Sequence, residues 1–133
     1  MKSIIVAAAL SGLVLMGDGS ATAGVKTDEP VSVSFNQDGS GGASGALGTA
    51  RNSANQEEFI GCVLHGSRGR VFASCSVRDA AGTSMGCLAS DPALLEVLKS
   101  VTSDAVIFFF WDAQANCTEI AIETASNDAP KLP

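Results

Sequence analysis

The residues best suited to chemistry in this chain of 133 are four cysteines, Cys62, Cys75, Cys87 and Cys117, and a single histidine, His65. Neighbouring cysteines are separated by 12, 11 and 29 residues, with no C-x-x-C pair and no second imidazole. Zinc sites use closely spaced thiolate and imidazole ligands, so no metal is expected. No phosphate-cradling or dinucleotide motif occurs either, and no cofactor is assigned. An even cysteine count in a small exported domain predicts two disulfides instead. Three pairings are open, and the preferred one joins Cys62 to Cys75 and Cys87 to Cys117. Their formation would remove the thiols as nucleophiles.

Any Ser-His-Asp site would have to use His65, with Ser67 as the nearest hydroxyl. A triad is defined by geometry rather than by presence, and a histidine at a hairpin end is ordinarily a surface residue. Hydrolysis through His65 is therefore the weakest reading. Glu57 and Glu58, and Glu119 and Glu123, are the paired carboxylates. Residues four apart on a strand share a face but sit about 13 Å apart at roughly 3.3 Å per residue. Glycosidase acid and base pairs lie about 5 to 9.5 Å apart, so these glutamates read as a solvated strand face. Asn36-Gln-Asp38-Gly-Ser offers oxygen ligands in a glycine turn, without the ordered acids and distal Glu of a calcium loop. No catalytic residue is assigned.

These residues must be positioned in a particular compartment, and the first 23 residues set it. Lys2, an apolar run from Ile4 to Met16 and the small-residue end Ala21-Thr22-Ala23 follow the order of a secretory signal with an A-x-A cleavage site. The apolar run is shorter than the roughly 20 residues of a membrane-spanning helix, so cleavage after Ala23 is expected and no stable membrane span follows. The signal carries one Lys and one Asp, so the chain keeps a net charge of −6 without it. An acidic chain with no basic run and no Tyr is poorly suited to nucleic acid.

The segment from Gly24 to Gln56, rich in Gly, Ser, Ala and Asn, reads as a flexible arm, with one possible strand in the alternation Val31-Ser-Val-Ser-Phe35. From residue 57 to 125 a folded domain is expected, with a polar tail over residues 126–133. Phe59 to His65 and Arg70 to Arg78 flank Gly66-Ser-Arg-Gly69 as a hairpin, and the turn Asp79-Ala-Ala-Gly82 leads into a third strand, Ser84 to Leu88. Loops centred on Arg68-Gly69 and on Ala81 would set Cys62, Cys75 and Cys87 side by side, on one face with Ile60, Leu64, Val71, Ala73 and Val77. Ser90-Asp-Pro-Ala starts a helix, with Asp91 at N-cap and Pro92 at N1, and with Leu94, Val97, Leu98 and Val101 along its apolar face.

Ala105 to Trp111 is apolar throughout, and an alternating strand follows from Cys117 to Thr124. With their loop symmetric about Gln114, Val106, Phe108 and Phe110 join Ile120 and Ile122 in the core, leaving Ile107, Phe109 and Trp111 on the second face with Glu119. A one-residue slip would reverse this assignment. The expected fold class is α+β: one antiparallel sheet in the order β-β-β-α-β-β, one helix on it, and two disulfides.

The stretches Cys75-Ser-Val-Arg-Asp79, Cys87, Asp91-Pro-Ala-Leu94, Phe110-Trp-Asp112 and Cys117-Thr-Glu-Ile120 resemble small exported disulfide-bonded bacterial proteins of unknown function. The resemblance implies an envelope or secreted location, periplasmic or extracellular, and brings no activity or site. Export, small size and the lack of a catalytic constellation favour a non-catalytic binding module with a protein partner. Its surface is expected at Phe109 and Trp111 or at the hairpin tip bearing Arg68 and Arg70, since aromatic and Arg side chains are favoured interface anchors. Two other readings are an inhibitor or immunity-type protein blocking a basic hydrolase through its acidic surface, and a structural subunit whose arm donates a strand to a neighbour.

Overall fold

A computed structural model of the chain describes residues 27–128. The expected signal, Met1 to Ala23, lies outside the described residues. Seven strands and two short helices follow in the order β1 (Ser32–Phe35), β2 (Gly41–Ala46), α1 (Leu47–Asn52), β3 (Phe59–Ser67), β4 (Arg70–Arg78), β5 (Ser84–Ala89), α2 (Pro92–Leu98), β6 (Val106–Trp111) and β7 (Cys117–Glu123). They form a four-stranded sheet ordered β1-β2-β6-β7 and a three-stranded sheet ordered β3-β4-β5, antiparallel throughout. One buried cluster draws side chains from both sheets, among them Ile60, Cys75 and Val77 from one and Ile107, Phe109 and Ile120 from the other. The expected single-sheet α+β fold with one helix is therefore wrong: the chain is mostly strand, in two sheets.

That correction traces to β2, in the segment read as a flexible arm. Its residues, Gly-Gly-Ala-Ser-Gly-Ala, bury little area of their own, yet they pair in register with the six largest consecutive apolar residues in the chain: Gly41 opposite Trp111, Gly42 opposite Phe110, Ala43 opposite Phe109, Gly45 opposite Ile107. Packing depends on summed volume across facing positions, so a strand of small residues fits where its neighbour supplies the bulk. A Cβ built on Gly41 would lie 2.1 Å from the Ser34 carbonyl oxygen and 2.7 Å from the Trp111 ring. Only glycine allows that approach. With β2 paired to β6, the hairpin strands β3, β4 and β5 form a sheet of their own.

The boundary expected at residue 57 consequently falls inside the fold, since β1, β2 and α1 all precede it. The beginning of the tail is also tied down: the Thr27 N–H donates to the Asn127 carbonyl at 2.9 Å, and the Asp128 carboxylate accepts from the Ala125 N–H at 2.9 Å.

The hairpin reading holds. Ser67 pairs with Arg70 around Arg68-Gly69, and Arg78 pairs with Ser84 around the second turn, which aligns Cys62, Cys75 and Cys87 across the sheet. Gly69 and Gly82 take positive φ values of 71° and 84°, as tight turns require. Disulfides join Cys62 to Cys75 within the hairpin and Cys87 to Cys117 between the two sheets, the preferred pairing. Asp91 caps α2 by accepting from the Ala93 N–H at 2.7 Å, with Pro92 at the first helical position. Leu95 and Leu98 anchor that helix in the core, whereas Val97, expected to face inward, is exposed. No described helix is long and apolar enough to cross a membrane.

Candidate interaction face on the three-stranded sheet

Two of the expected surface residues lie in the interior. Phe109 is 0% exposed and Trp111 2%, while Phe110, expected in the core, is 42% exposed. The cause is a β-bulge. Trp111 pairs with Cys117 as a loop centred on Gln114 requires, but the next pair is Phe110 with Glu119, leaving Thr118 with no residue opposite. One extra residue reverses the facing of the rest of β7. Ile120 and Ile122 therefore join Phe109 and Ile107, and Cys117 joins them on the inward side. Trp111 also donates from its indole Nε1 to the Gly39 carbonyl at 3.2 Å, and Phe35 meets its ring edge-on at 5.6 Å. Neither Phe109 nor Trp111 offers a surface to a partner.

The exposed apolar residues lie elsewhere, and the hairpin register explains their arrangement. Alternation along β3, β4 and β5 sends the cysteine rows inward and the intervening rows outward. One outward row is Phe59, Arg78 and Ser84; the next is Gly61, Ser76 and Gly86; the third is Val63, Ser74 and Leu88. The middle row carries little side chain and forms the floor of a shallow trough between the other two, with the Phe59 ring leaning over it at Gly61. Phe59, Val63 and Leu88 are 51%, 56% and 58% exposed, and none belongs to the buried cluster or packs against it. At one end of the trough a hollow of about 380 Å³ opens between Ser76, Gly86 and Leu88 on one side and Gln114 and Asn116 on the other.

The far wall of that hollow is the β6–β7 loop, held in place from both ends. Asp112 accepts from the backbone N–H groups of Gln114 and Asn116, each at 2.9 Å, and from the Asn116 amide at 3.0 Å. The Asn116 side-chain bond, followed by its backbone N–H, holds the Asp112 carboxyl below its ordinary value of 3.8. Ala115 takes a φ of 61°, a region that L residues other than Asn and Asp seldom enter, and directs its carbonyl to the Leu88 N–H at 3.0 Å. This bond and the Cys87–Cys117 disulfide fasten the loop to the edge of β5.

At the β3–β4 hairpin end of the face stand His65, Arg68 and Arg70. His65 stacks on Phe72 with ring centres 4.6 Å apart, and Arg70 lies 5.3 Å over the same ring. Arg68 occupies the turn and is exposed, and neither it nor Arg70 has an ion-pair partner among the described residues. Arg78, in contrast, pairs with Glu57 at 2.6 Å. The expected tip at Arg68 and Arg70 is thus one end of a larger face that also exposes Phe59, Val63 and Leu88.

His65 meets Ser74 rather than Ser67, its Nε2 lying 3.0 Å from the Ser74 hydroxyl. Among the described residues no carboxylate is bonded to its other nitrogen, so the group that would orient a catalytic imidazole is not in place. Asp38 accepts from both the N–H and the hydroxyl of Ser40, at 3.0 and 2.6 Å, which commits that oxygen to the β1–β2 turn. Glu119 and Glu123 lie on the outer side of the other sheet, both exposed.

Sequence reasoning passed over Phe59, Val63, Phe72 and Leu88, although their signal was present. Once Cys62 is placed inward, every odd-numbered residue of β3 points outward, and Phe59 and Val63 are among them. The hollow beside Gln114 and Asn116 had no comparable signal, because it depends on how the two sheets meet. No protein-family model, curated protein or solved structure matches the chain.

Proposed function

We propose that this chain is an exported, non-catalytic binding module that takes a protein partner on the outer side of the β3-β4-β5 sheet. The observation that carries the reading is the set Phe59, Val63 and Leu88 placed around the Gly61-Ser76-Gly86 row of one sheet face, each more than half exposed, beside the open hollow at Gln114 and Asn116. Contiguous exposed apolar surface on a small protein marks an interaction site more often than scattered residues do. A core of apolar and aromatic side chains rimmed by arginine is the usual anatomy of such a site. The two disulfides are compatible with an oxidising compartment, and the Sec-type pattern of Met1 to Ala23 supplies the route.

The test captures partners from envelope and culture-fluid extracts with the oxidised protein and with a Phe59→Ser, Leu88→Ser double variant. Folding of the variant is checked by the emission of the single tryptophan, which is buried in the native state. A stoichiometric protein held by the native chain and lost from the variant is expected. Equal capture by both would move the partner off this face. N-terminal sequencing of the exported material should begin at Gly24, and an unprocessed chain retained in the cytoplasm would overturn the export part of the reading.

A further inference from the structure

The outer edge of β3 carries a second surface, which shares Val63 with the sheet face. β3 is an outermost strand of its sheet, nine residues long, with no Asp, Glu, Lys, Arg or Pro in it. Edge strands are ordinarily guarded by such residues, because their unpaired N–H and C=O groups invite another strand. The Cα atoms of Cys62 and Cys75 are 4.0 Å apart, the close spacing of a non-hydrogen-bonded pair. Ile60, Cys62, Leu64 and Gly66 therefore direct their backbone N–H and C=O groups away from β4. Among the described residues none of these groups bonds to another element.

We infer that this edge pairs with the same edge of a second copy, antiparallel about Val63, giving a dimer with a continuous six-stranded sheet. Val63 is the midpoint of Phe59–Ser67, so this centre alone overlaps the whole strand. It sets Cys62 opposite Leu64 of the second copy, twice by symmetry, where the edge is open; Ile60, 4% exposed, falls opposite Gly66 and offers no open backbone group. It also brings the two exposed Val63 side chains together at the axis.

Charge supports the same register. One residue beyond each strand end, Glu58 of one copy falls beside Arg68 of the other, twice by symmetry. Neither has an ion-pair partner within its own chain among the described residues, Glu58 accepting only the Ser53 hydroxyl. Shape supports it too. A hollow of about 130 Å³, lined by Leu47, Cys62, Leu64, Leu98, Val101 and Ile107, opens beside the edge. Leu64 of the second copy, 42% exposed in the single chain, arrives at this hollow opposite Cys62. Centring the pair on Cys62 or Leu64 instead shortens the overlap.

The test is sedimentation equilibrium of the oxidised, exported protein over a wide concentration range, with amide exchange at Cys62 and Leu64 followed alongside. A reversible dimer is expected, with those two amides protected only at concentrations where it forms. Glu58→Arg and Arg68→Glu should each weaken association by about tenfold or more, since each turns two attractive contacts repulsive. An equimolar mixture of the two variants should recover it, because Glu58→Arg in one copy then faces Arg68→Glu in the other. Recovery on mixing also shows that both variants fold. Monomer at every concentration, association unmoved by either variant, or weakened variants that do not recover on mixing would each overturn the inference. Leu88→Ser, away from this edge, leaves the dimer intact, so the outcome is separable from that for the proposed binding face.

Discussion

Replacing Gly41 by alanine tests whether β2 belongs to the fold because it is small. The added Cβ would lie 2.1 Å from the Ser34 carbonyl oxygen, a backbone atom, and 2.7 Å from the Trp111 ring. Relieving the first contact means moving β1 away from β2 where Phe35 pairs with Gly41. Relieving the second turns Trp111 away from its bond to Gly39. Overpacking of this kind costs about 1 to 3 kcal/mol, and a lost hydrogen bond adds about 1 kcal/mol. Together these give a destabilisation of about 3 kcal/mol, or a fall in Tm of roughly 12 to 24 °C at about 4 to 8 °C per kcal/mol.

Two neighbouring substitutions make the test specific. At Gly42 the new Cβ meets only the Phe110 ring, at 2.6 Å, and that ring is partly in solvent and free to swing outward. Gly42→Ala should therefore cost less than about 1 kcal/mol. At Gly66 nothing lies within 4 Å, so Gly66→Ala should be neutral or stabilise by up to about 1 kcal/mol through the unfolded chain. Urea unfolding with the disulfides intact, followed by Trp111 emission, reads all three. A Gly41→Ala protein as stable as the parent, or less affected than Gly42→Ala, would refute the volume argument for β2.

Removing the disulfides one at a time should show unequal effects, because Cys62–Cys75 spans a sequence separation of 13 and Cys87–Cys117 one of 30; chain entropy assigns about 3 and about 4 kcal/mol to them, and thermal unfolding of the two double-serine variants should rank them in that order. Asp112 should titrate below 3.8 by carboxyl NMR, with Asn116→Ala raising it toward that value. Because the folded-state value is the lower one, its contribution to stability is complete above the ordinary carboxyl value and is lost as pH falls through the folded one; an unchanged titration in the variant would refute the assigned cause. Phe59→Thr, Val63→Thr and Leu88→Thr should each shift stability by no more than about 0.5 kcal/mol, and a loss of about 2 kcal/mol at any of them would make that residue structural rather than part of an interaction face.

What the sequence revealed and what it concealed follow from the range of the forces involved. The β3-β4-β5 register was legible because two short turns fix it locally and the cysteines mark its inward side. The start of α2 was legible because Asp91 and Pro92 satisfy the helix end themselves. α1 carried no such mark: it begins after Ala46 with no side-chain cap and contains Gly48. β2 was hidden for another reason, since its capacity to pack is a property of β6, more than sixty residues away, and not of its own composition. The inversion of β6 came from the single extra residue at Thr118, which no periodicity within either strand discloses. Without β2 as a partner for β6 a single sheet was the simplest arrangement, so the wrong fold class and the wrong aromatic face share one origin.

The two outer faces of the molecule differ in which large apolar side chains they leave in solvent, and that difference motivates the proposed interaction face. On the four-stranded sheet the outward residues include Ser32 and Ser44, bonded to each other at 3.1 Å, together with Ser34, Glu119 and Glu123; the one exposed aromatic of β6, Phe110, lies over Gly42. That face carries five hydroxyl or carboxylate side chains beside the apolar Val106, Phe108, Phe110 and Ala121. On the three-stranded sheet the outward residues include Phe59, Val63 and Leu88, and the core is closed without them. A protein whose buried cluster already contains Trp111, Phe109, Ile107 and the Cys87–Cys117 disulfide has no folding requirement for three more large apolar side chains on one solvent face. Holding them there carries a solubility liability that a bound partner would remove. The anchored loop at Asp112 to Asn116 stands along the β5 edge of this face and the unpaired Arg68 and Arg70 at its β3–β4 hairpin end, where selective contacts around an apolar centre belong.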